Sequence, residues 1–156
     1  MTRIGRSLIF NSLKGYIRLK FPFVQRMTTV EFAQRLGDSK EFHPLILDTR
    51  SEEEYTVSHL AAARQFDVGS DFTAAPTLKE VSKDKPIVVY CSVGYRSAKV
   101  AQQLDQAGFS QVFNLEGGLF QWSNERRPLF HNGQPTQLVH PYNVVWGTLL
   151  EKHDRL

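Results

Sequence analysis

The stretch Ile87-Val88-Val89-Tyr90-Cys91-Ser92-Val93-Gly94-Tyr95-Arg96-Ser97-Ala98-Lys99-Val100-Ala101-Gln102-Gln103-Leu104 decides the fold class. Its first four residues form an apolar, mostly β-branched run of strand length. Its last seven have the composition of a helix, and a short loop containing Gly94 joins the two. Strand, tight loop and helix start are therefore expected in that order, with Cys91 at the hinge between strand and loop. A loop of this kind points backbone N–H groups inward. Those donors, the positive end of the following helix and the Arg96 guanidinium together favour an anionic sulfur and cradle an anion attached to it. A lone cysteine at a strand end can also be a small buried hydrophobe. Its neighbours favour the reactive reading: Gly94 for backbone freedom, Arg96 for fixed charge and Ser97 as an expected helix cap.

Working outward, the same alternation recurs. Thr28-x-x-Glu31 is a capping box opening a helix through Phe32, Ala33 and Leu36, with Gly37 as the expected stop. Leu45-Ile46-Leu47 is a buried-type strand running into Asp48-Thr49-Arg50, after which Ser51 begins a short acidic helix. Arg64-Gln65-Phe66 is a further short strand, and Thr77-Leu78-Lys79-Glu80-Val81 reads as helical. Beyond the central stretch, Gly108 ends the helix, Val112-Phe113-Asn114-Leu115 is a strand, and Gly117-Gly118 turns into an apolar helix with Leu119, Phe120 and Trp122. Strands alternating with helices predict a three-layer α/β fold: a central, mostly parallel sheet of about five strands with helices on both faces. Ligands of such sheets collect at the carboxyl ends of the strands, where Asp48, Arg50 and Cys91 all fall.

Length and charge bound the rest. The 156 residues, 41% hydrophobic and 22% charged, suit one domain with extensions. Three segments are expected: a basic extension over 1–23, the α/β domain over 24–130, and a tail over 131–156 that is too apolar for a free linker and packs on the domain or a partner. Arg3, Arg6, Lys14, Arg18, Lys20 and Arg26 stand among the first 30 residues with no acid, which leaves 13 basic and 16 acidic side chains elsewhere, net −3. The basic charge thus lies in the extension, and nucleic-acid binding by the domain is disfavoured.

On a helical wheel the first 20 residues place Arg3, Ser7, Asn11, Lys14 and Arg18 opposite a broad apolar face from Leu8 to Leu19. Phe21-Pro22-Phe23 ends that helix. Peripheral membrane contact through residues 1–22, a packing arm and a cleaved targeting peptide all fit this pattern. Liposome co-sedimentation with and without residues 1–22 separates the first from the others. No apolar stretch is long enough to span a bilayer.

The single cysteine excludes an internal disulfide and a Cys-rich metal site, and it fits a reducing, cytoplasmic setting. The five histidines are too scattered for a metal-ligand pattern. If Cys91 takes up sulfur, no second thiol on the chain can remove it, so turnover needs an external acceptor or another chain.

Three separated segments resemble the rhodanese family of sulfurtransferases. Leu45 to Tyr55, leading to His59-Leu60, is similar to the family's Asp-x-Arg, Glu-Tyr and His-Ile segment. Cys91 to Ser97 is similar to its Cys-x-x-Gly-x-Arg-Ser active loop. Leu115-Glu116-Gly117-Gly118-Leu119-Phe120-Gln121-Trp122 is similar to its Leu-x-Gly-Gly-x-x-x-Trp. The likeness covers about 24–128. Two places depart from it: Ser58 stands where the family usually has Gly, and Ala61-Ala62-Ala63 replaces its usual Pro-Gly-Ala.

The resemblance implies that Cys91 takes a sulfane sulfur from thiosulfate or a related donor as a persulfide and passes it to cyanide, a thiol such as glutathione, or a protein acceptor such as thioredoxin. Ser92, Val93, Gly94, Tyr95, Arg96 and Ser97 form the binding loop, and neither metal nor organic cofactor is required. Asp48, Arg50 and Glu116 are accessory candidates, the first two more simply a structural brace. His59 and Trp122 read as core residues. A carrier or redox-sensing module without turnover is the alternative. A phosphatase or arsenate-reductase reading is disfavoured because those loops hold one more residue between Cys and Arg than this chain has.

Overall fold

The alternation of Ile87, Val88, Val89 and Tyr90, each fully buried, is the axis of the computed structural model, which describes residues 1–38, 40–66 and 75–156. These four residues form the central strand of a five-stranded sheet. In chain order the elements are α1 (Arg3–Lys20), β1 (Gln25–Met27), α2 (Thr29–Asp38), β2 (Leu45–Asp48), α3 (Glu52–Val57), β3 (Arg64–Gln65), β4 (Ile87–Tyr90), α4 (Tyr95–Gln106), β5 (Val112–Leu115) and α5 (Gly118–Asn124). A hairpin of β6 (Leu129–His131) and β7 (Gln134–Thr136), a short α6 (Val144–Gly147) and a final 3₁₀ turn (Lys152–Asp154) complete the chain. The sheet order is β1-β5-β4-β2-β3, and every pairing in it is parallel.

Side chains alternate across a strand, so the central strand feeds two cores. Ile87 and Val89 join Ala98, Ala101 and Leu104 of α4 on one face. Val88 and Tyr90 join Phe32 of α2 and Leu119, Phe120 and Trp122 of α5 on the other. Burying each such aliphatic side chain contributes about 2 kcal/mol against leaving it in water. This sandwich holds the carboxyl ends of β2, β4 and β5 level, because Asp48 registers with Tyr90 and Val89 with Asn114.

Several expectations change. Residues 77–81 lie in successive turns closed by three-residue bonds, such as Leu78 N–H to Ala75 O at 2.9 Å, rather than in an α-helix. Helix α2 passes through Gly37 and reaches Asp38. The boundary expected at 130 falls inside β6, and Val139, Leu149 and Leu150 of the tail are buried in the core of the domain.

The N-terminal helix is also divided differently from its wheel. Phe10 and Ile17 are buried, whereas Ile4, Leu8 and Leu19 from the same chain segment are exposed. Two of its basic side chains, Arg6 and Arg18, are paired with acids from elsewhere in the molecule. Arg6 pairs with Glu151, and Glu116 receives both Arg18 at 2.9 Å and Arg26 at 3.2 Å. Among the described residues, no helix is long and apolar enough to cross a membrane.

The Ala61-Ala62-Ala63 departure has a local cost. Ala62 sits at φ 60, where a Cβ crowds the adjoining carbonyl by about 1 kcal/mol or more. Ala62→Gly removes that crowding but loses more chain entropy on folding. A net gain of about 0.5 kcal/mol is expected, read as a higher denaturant midpoint at unchanged m value.

Candidate active site

Cys91 follows directly on β4, is 1% exposed, and lies on the floor of a pocket of about 150 Å³. The backbone N–H of Gly94 donates to its sulfur at 3.1 Å. This bond requires the chain to turn back on itself within three residues, which Gly94 permits at φ 109. Gly94 is also the N-cap of α4, so Ser97 is not the cap the sequence suggested. Ser97 sits one turn inside the helix, where its hydroxyl is 3.5 Å from the sulfur and donates over a shorter 2.6 Å to Asn114 Oδ1. Asn114 in turn donates from Nδ2 to Gly94 O at 3.0 Å, locking the loop to β5.

From the other side, α5 closes the loop. Leu119 N–H donates to Cys91 O at 2.9 Å and Phe120 N–H to Ser92 O at 3.0 Å. The first-turn N–H groups of a helix have no intrahelical partners, so those of α5 are free to bind the loop carbonyls. Those of α4, which begins at Tyr95, face the same loop end.

Arg96 is held from outside the loop. Both its terminal nitrogens meet Glu54, at 2.9 and 2.8 Å, and Nη2 also reaches Ser92 Oγ at 3.0 Å. Ser92 Oγ donates to Glu54 at 3.1 Å. Burial works against charge on Arg96, but the hydrogen bonds it donates to Glu54 and the nearby Cys91 sulfur outweigh it and hold the guanidinium protonated.

Glu54 is 2% exposed, and burial alone would raise its pKa. The bidentate bond to Arg96, the Arg96 charge and the Ser51 backbone N–H reverse that and bring it from 4.5 to about 2. The group's folded-state pKa lies below its unfolded value, so the ion pair stabilises the fold above pH 4.5 and is lost as pH falls toward 2. Glu54→Gln is expected to cost on the order of 2 kcal/mol at pH 7. In denaturant titrations its difference from wild type shrinks steadily below about pH 4; a difference independent of pH would contradict the ion-pair account.

The accessory candidates separate from this centre. Asp48 and Arg50 are completely buried and pair with each other at 2.7 Å. Arg50 also donates to Ser58 O at 2.6 Å, and Asp48 accepts from Tyr90 OH at 2.7 Å, so the pair ties β2 to the segment after α3. Glu116 is taken up by the arginines of α1 and β1. None of the three lines the Cys91 pocket, whose walls are Leu13, Ile17, Val93, Tyr95, Tyr142 and Trp146. His59 stacks on Tyr55 at 4.0 Å with Nδ1 2.9 Å from Tyr55 O, and Trp122 donates to Pro128 O at 2.9 Å. Among the described residues, no three His, Cys, Asp or Glu come together as a metal site requires.

Sequence reasoning passed over Glu54, Asn114 and the walls Leu13, Ile17, Tyr142 and Trp146, while Val93 and Tyr95 were expected in the loop. The Ser51-x-x-Glu54 capping box, which forms in full, was a signal for Glu54, and a polar residue within Val112-Phe113-Asn114-Leu115 was one for Asn114. Those four walls carried no local signal, because they come from opposite ends of the chain.

A five-stranded parallel sheet covered by helices, with a cysteine loop at the carboxyl end of its central strand, defines the class. The Rhodanese-like domain family profile matches residues 28–125, and the chain belongs to that family. It is 28% identical over 106 residues to a protein of Allochromatium vinosum named sulfurtransferase, covering 68% of this chain and 94% of that one. A rhodanese-like domain protein of Staphylococcus aureus superposes with a TM-score of 0.55 at 29% identity, over 64% of this chain and 91% of that one. The BH2092 protein of Bacillus halodurans, at 21% identity, matches in fold with a TM-score of 0.65 over 88% and 98% of the two chains.

Proposed function

We propose that this protein is a sulfurtransferase that carries sulfane sulfur on Cys91. The observation that carries the reading is the Gly94 N–H aimed at the Cys91 sulfur at 3.1 Å, on the floor of an open pocket. The Cys91 thiolate attacks the outer sulfur of thiosulfate or a related donor. A new S–S bond forms as the donor's own S–S bond breaks, and sulfite leaves with the electron pair. The persulfide keeps one negative charge, and the loop N–H groups from Ser92 to Arg96 are its proposed donors, a role that the Gly94 bond to the sulfur supports. A nucleophilic acceptor then takes the outer sulfur, and the Cys91 thiolate returns. No oxidant or reductant is consumed.

Family membership and the sulfurtransferase named among its relatives support this chemistry. The near-complete burial of Cys91 favours one second reading, a carrier that holds its sulfur without turnover. Intact-mass measurement decides between them. Thiosulfate is expected to add one sulfur atom, and cyanide or a thiol to remove it. Loading without discharge establishes the carrier, and absence of loading ends both readings.

A further inference from the structure

The loop of Cys91 belongs to the segment that matches the family, but four of the residues that line the pocket above it do not. Leu13 and Ile17 come from α1, and Tyr142 and Trp146 come from the tail, all four outside the matched residues 28–125. These four walls are added from the two ends of the chain to the loop of the matched segment, and the pocket they form is largely apolar.

The placement of those walls is maintained by specific contacts. Tyr142 stands at φ 64, a strained backbone position for a bulky residue, with its ring 4.8 Å from the Arg96 guanidinium carbon. Tyr16 of α1 stacks on Tyr95 at 6.1 Å between ring centres, and Phe21 meets the same ring edge-on at 5.5 Å. Helix α1 is thus fastened beside the loop.

Charge and size both limit what enters. Among the described residues Arg96 is the only charged side chain lining the pocket, and Glu54 already meets its guanidinium with both carboxylate oxygens. The one guanidinium at the pocket is thus already paired, and the rest of the lining is uncharged. A space of about 150 Å³ is that of a cavity able to hold one benzene ring. Inorganic thiosulfate has no carbon with which to use such a wall. With thiosulfate as donor, the group that can use it is the carbon skeleton of the acceptor.

We propose that the acceptor is a low-molecular-weight thiol whose sulfur is borne on an apolar group about the size of a single ring, selected by Leu13, Ile17, Tyr142 and Trp146. The inference rests on the persulfide reading above. The thiolate of this acceptor attacks the outer sulfur of the Cys91 persulfide. The new S–S bond forms on the acceptor as the Cys91 S–S bond breaks, and the charge passes from the acceptor thiolate to the Cys91 thiolate. A thiol on a protein surface, or one on a charged peptide such as glutathione, gains nothing from the wall.

The test is single-turnover discharge of thiosulfate-loaded protein, followed by intact mass. It compares phenylmethanethiol with 2-mercaptoethanol, two thiols of similar basicity, and with glutathione. Phenylmethanethiol is expected to discharge the wild-type persulfide about tenfold faster than either, from the apolar area it buries. In Tyr142→Ala, a change at a half-exposed residue, and in Leu13→Asn, the ratio is expected to fall toward one. Only loaded molecules enter the ratio, so a misfolded fraction does not distort it. Equal rates in wild type, faster discharge by glutathione, or a ratio unchanged in both variants overturns the proposal while leaving the persulfide intact. Failure of wild type to load removes the persulfide reading and this inference with it.

Discussion

Cys91→Ser is expected to abolish sulfur transfer, with turnover falling at least about 10³-fold to the uncatalysed background. The serine hydroxyl is nearly the same size, and Gly94 N–H can donate to its oxygen as it does to sulfur at 3.1 Å. Stability is therefore expected to change by only about 1 kcal/mol or less, since the site is 1% exposed and the replacement leaves little void. The chemistry is what fails. An alcohol is scarcely ionised near neutral pH and is a far weaker nucleophile toward sulfur than a thiolate. With a single cysteine in the chain, no other side chain can take over. Intact mass after thiosulfate is expected to show no added sulfur in the variant. Transfer by Cys91→Ser within tenfold of wild type would remove Cys91 from the reaction.

Gly118→Ala is expected to be the most disruptive single-methyl change in the site. A Cβ at this position would stand 2.5 Å from Cys91 O and 2.6 Å from Ser92 O, with the backbone at φ 58. Neither obstacle is a flexible side chain that can swing away. The loop backbone must move, and with it the bonds from Leu119 and Phe120 N–H that hold the Cys91 and Ser92 carbonyls. Left-handed geometry adds about 1–2 kcal/mol for any residue with a Cβ, and the displaced hydrogen bonds add about 1 kcal/mol or more each. A loss of about 3 kcal/mol follows, or roughly 10 °C in Tm for a chain of this size. Persulfide formation in the folded fraction is expected to fall more than tenfold, because the Cys91 carbonyl and the sulfur share one residue. A Tm within 2 °C of wild type, with normal loading, would show that the loop does not depend on this close approach.

The contrast between these sites shows what a linear reading reaches. The Cys91 loop was legible because its parts are consecutive: an apolar strand, a glycine that permits φ 109, and an arginine two residues later. Glu54 was half legible. Its bond to the Ser51 backbone spans three residues and leaves a capping-box signature, but its bonds to Arg96 and Ser92 span 42 and 38 residues and leave none. Ser97 was misassigned for a similar reason. Serine before a helical run is a good cap, yet the loop turns so tightly at Gly94 that the helix has already begun. Asp48 and Arg50 do stand at a strand end as expected, but they spend their charge on each other and on Ser58 O.

The sequence alone determined the alternating α/β order, the parallel sheet, the family and the loop that presents Cys91, because periodicity and motifs of a few consecutive residues record local geometry directly. Only the tertiary structure decided what surrounds Cys91. Folding turned the basic face of α1 toward Glu116 and Glu151, set Leu13 and Ile17 against Tyr142 and Trp146, and closed a largely apolar pocket over Cys91. The two walls are more than 120 residues apart in the chain. Their meeting is a consequence of packing, which sums weak contacts over the whole surface and leaves no signature in any one stretch.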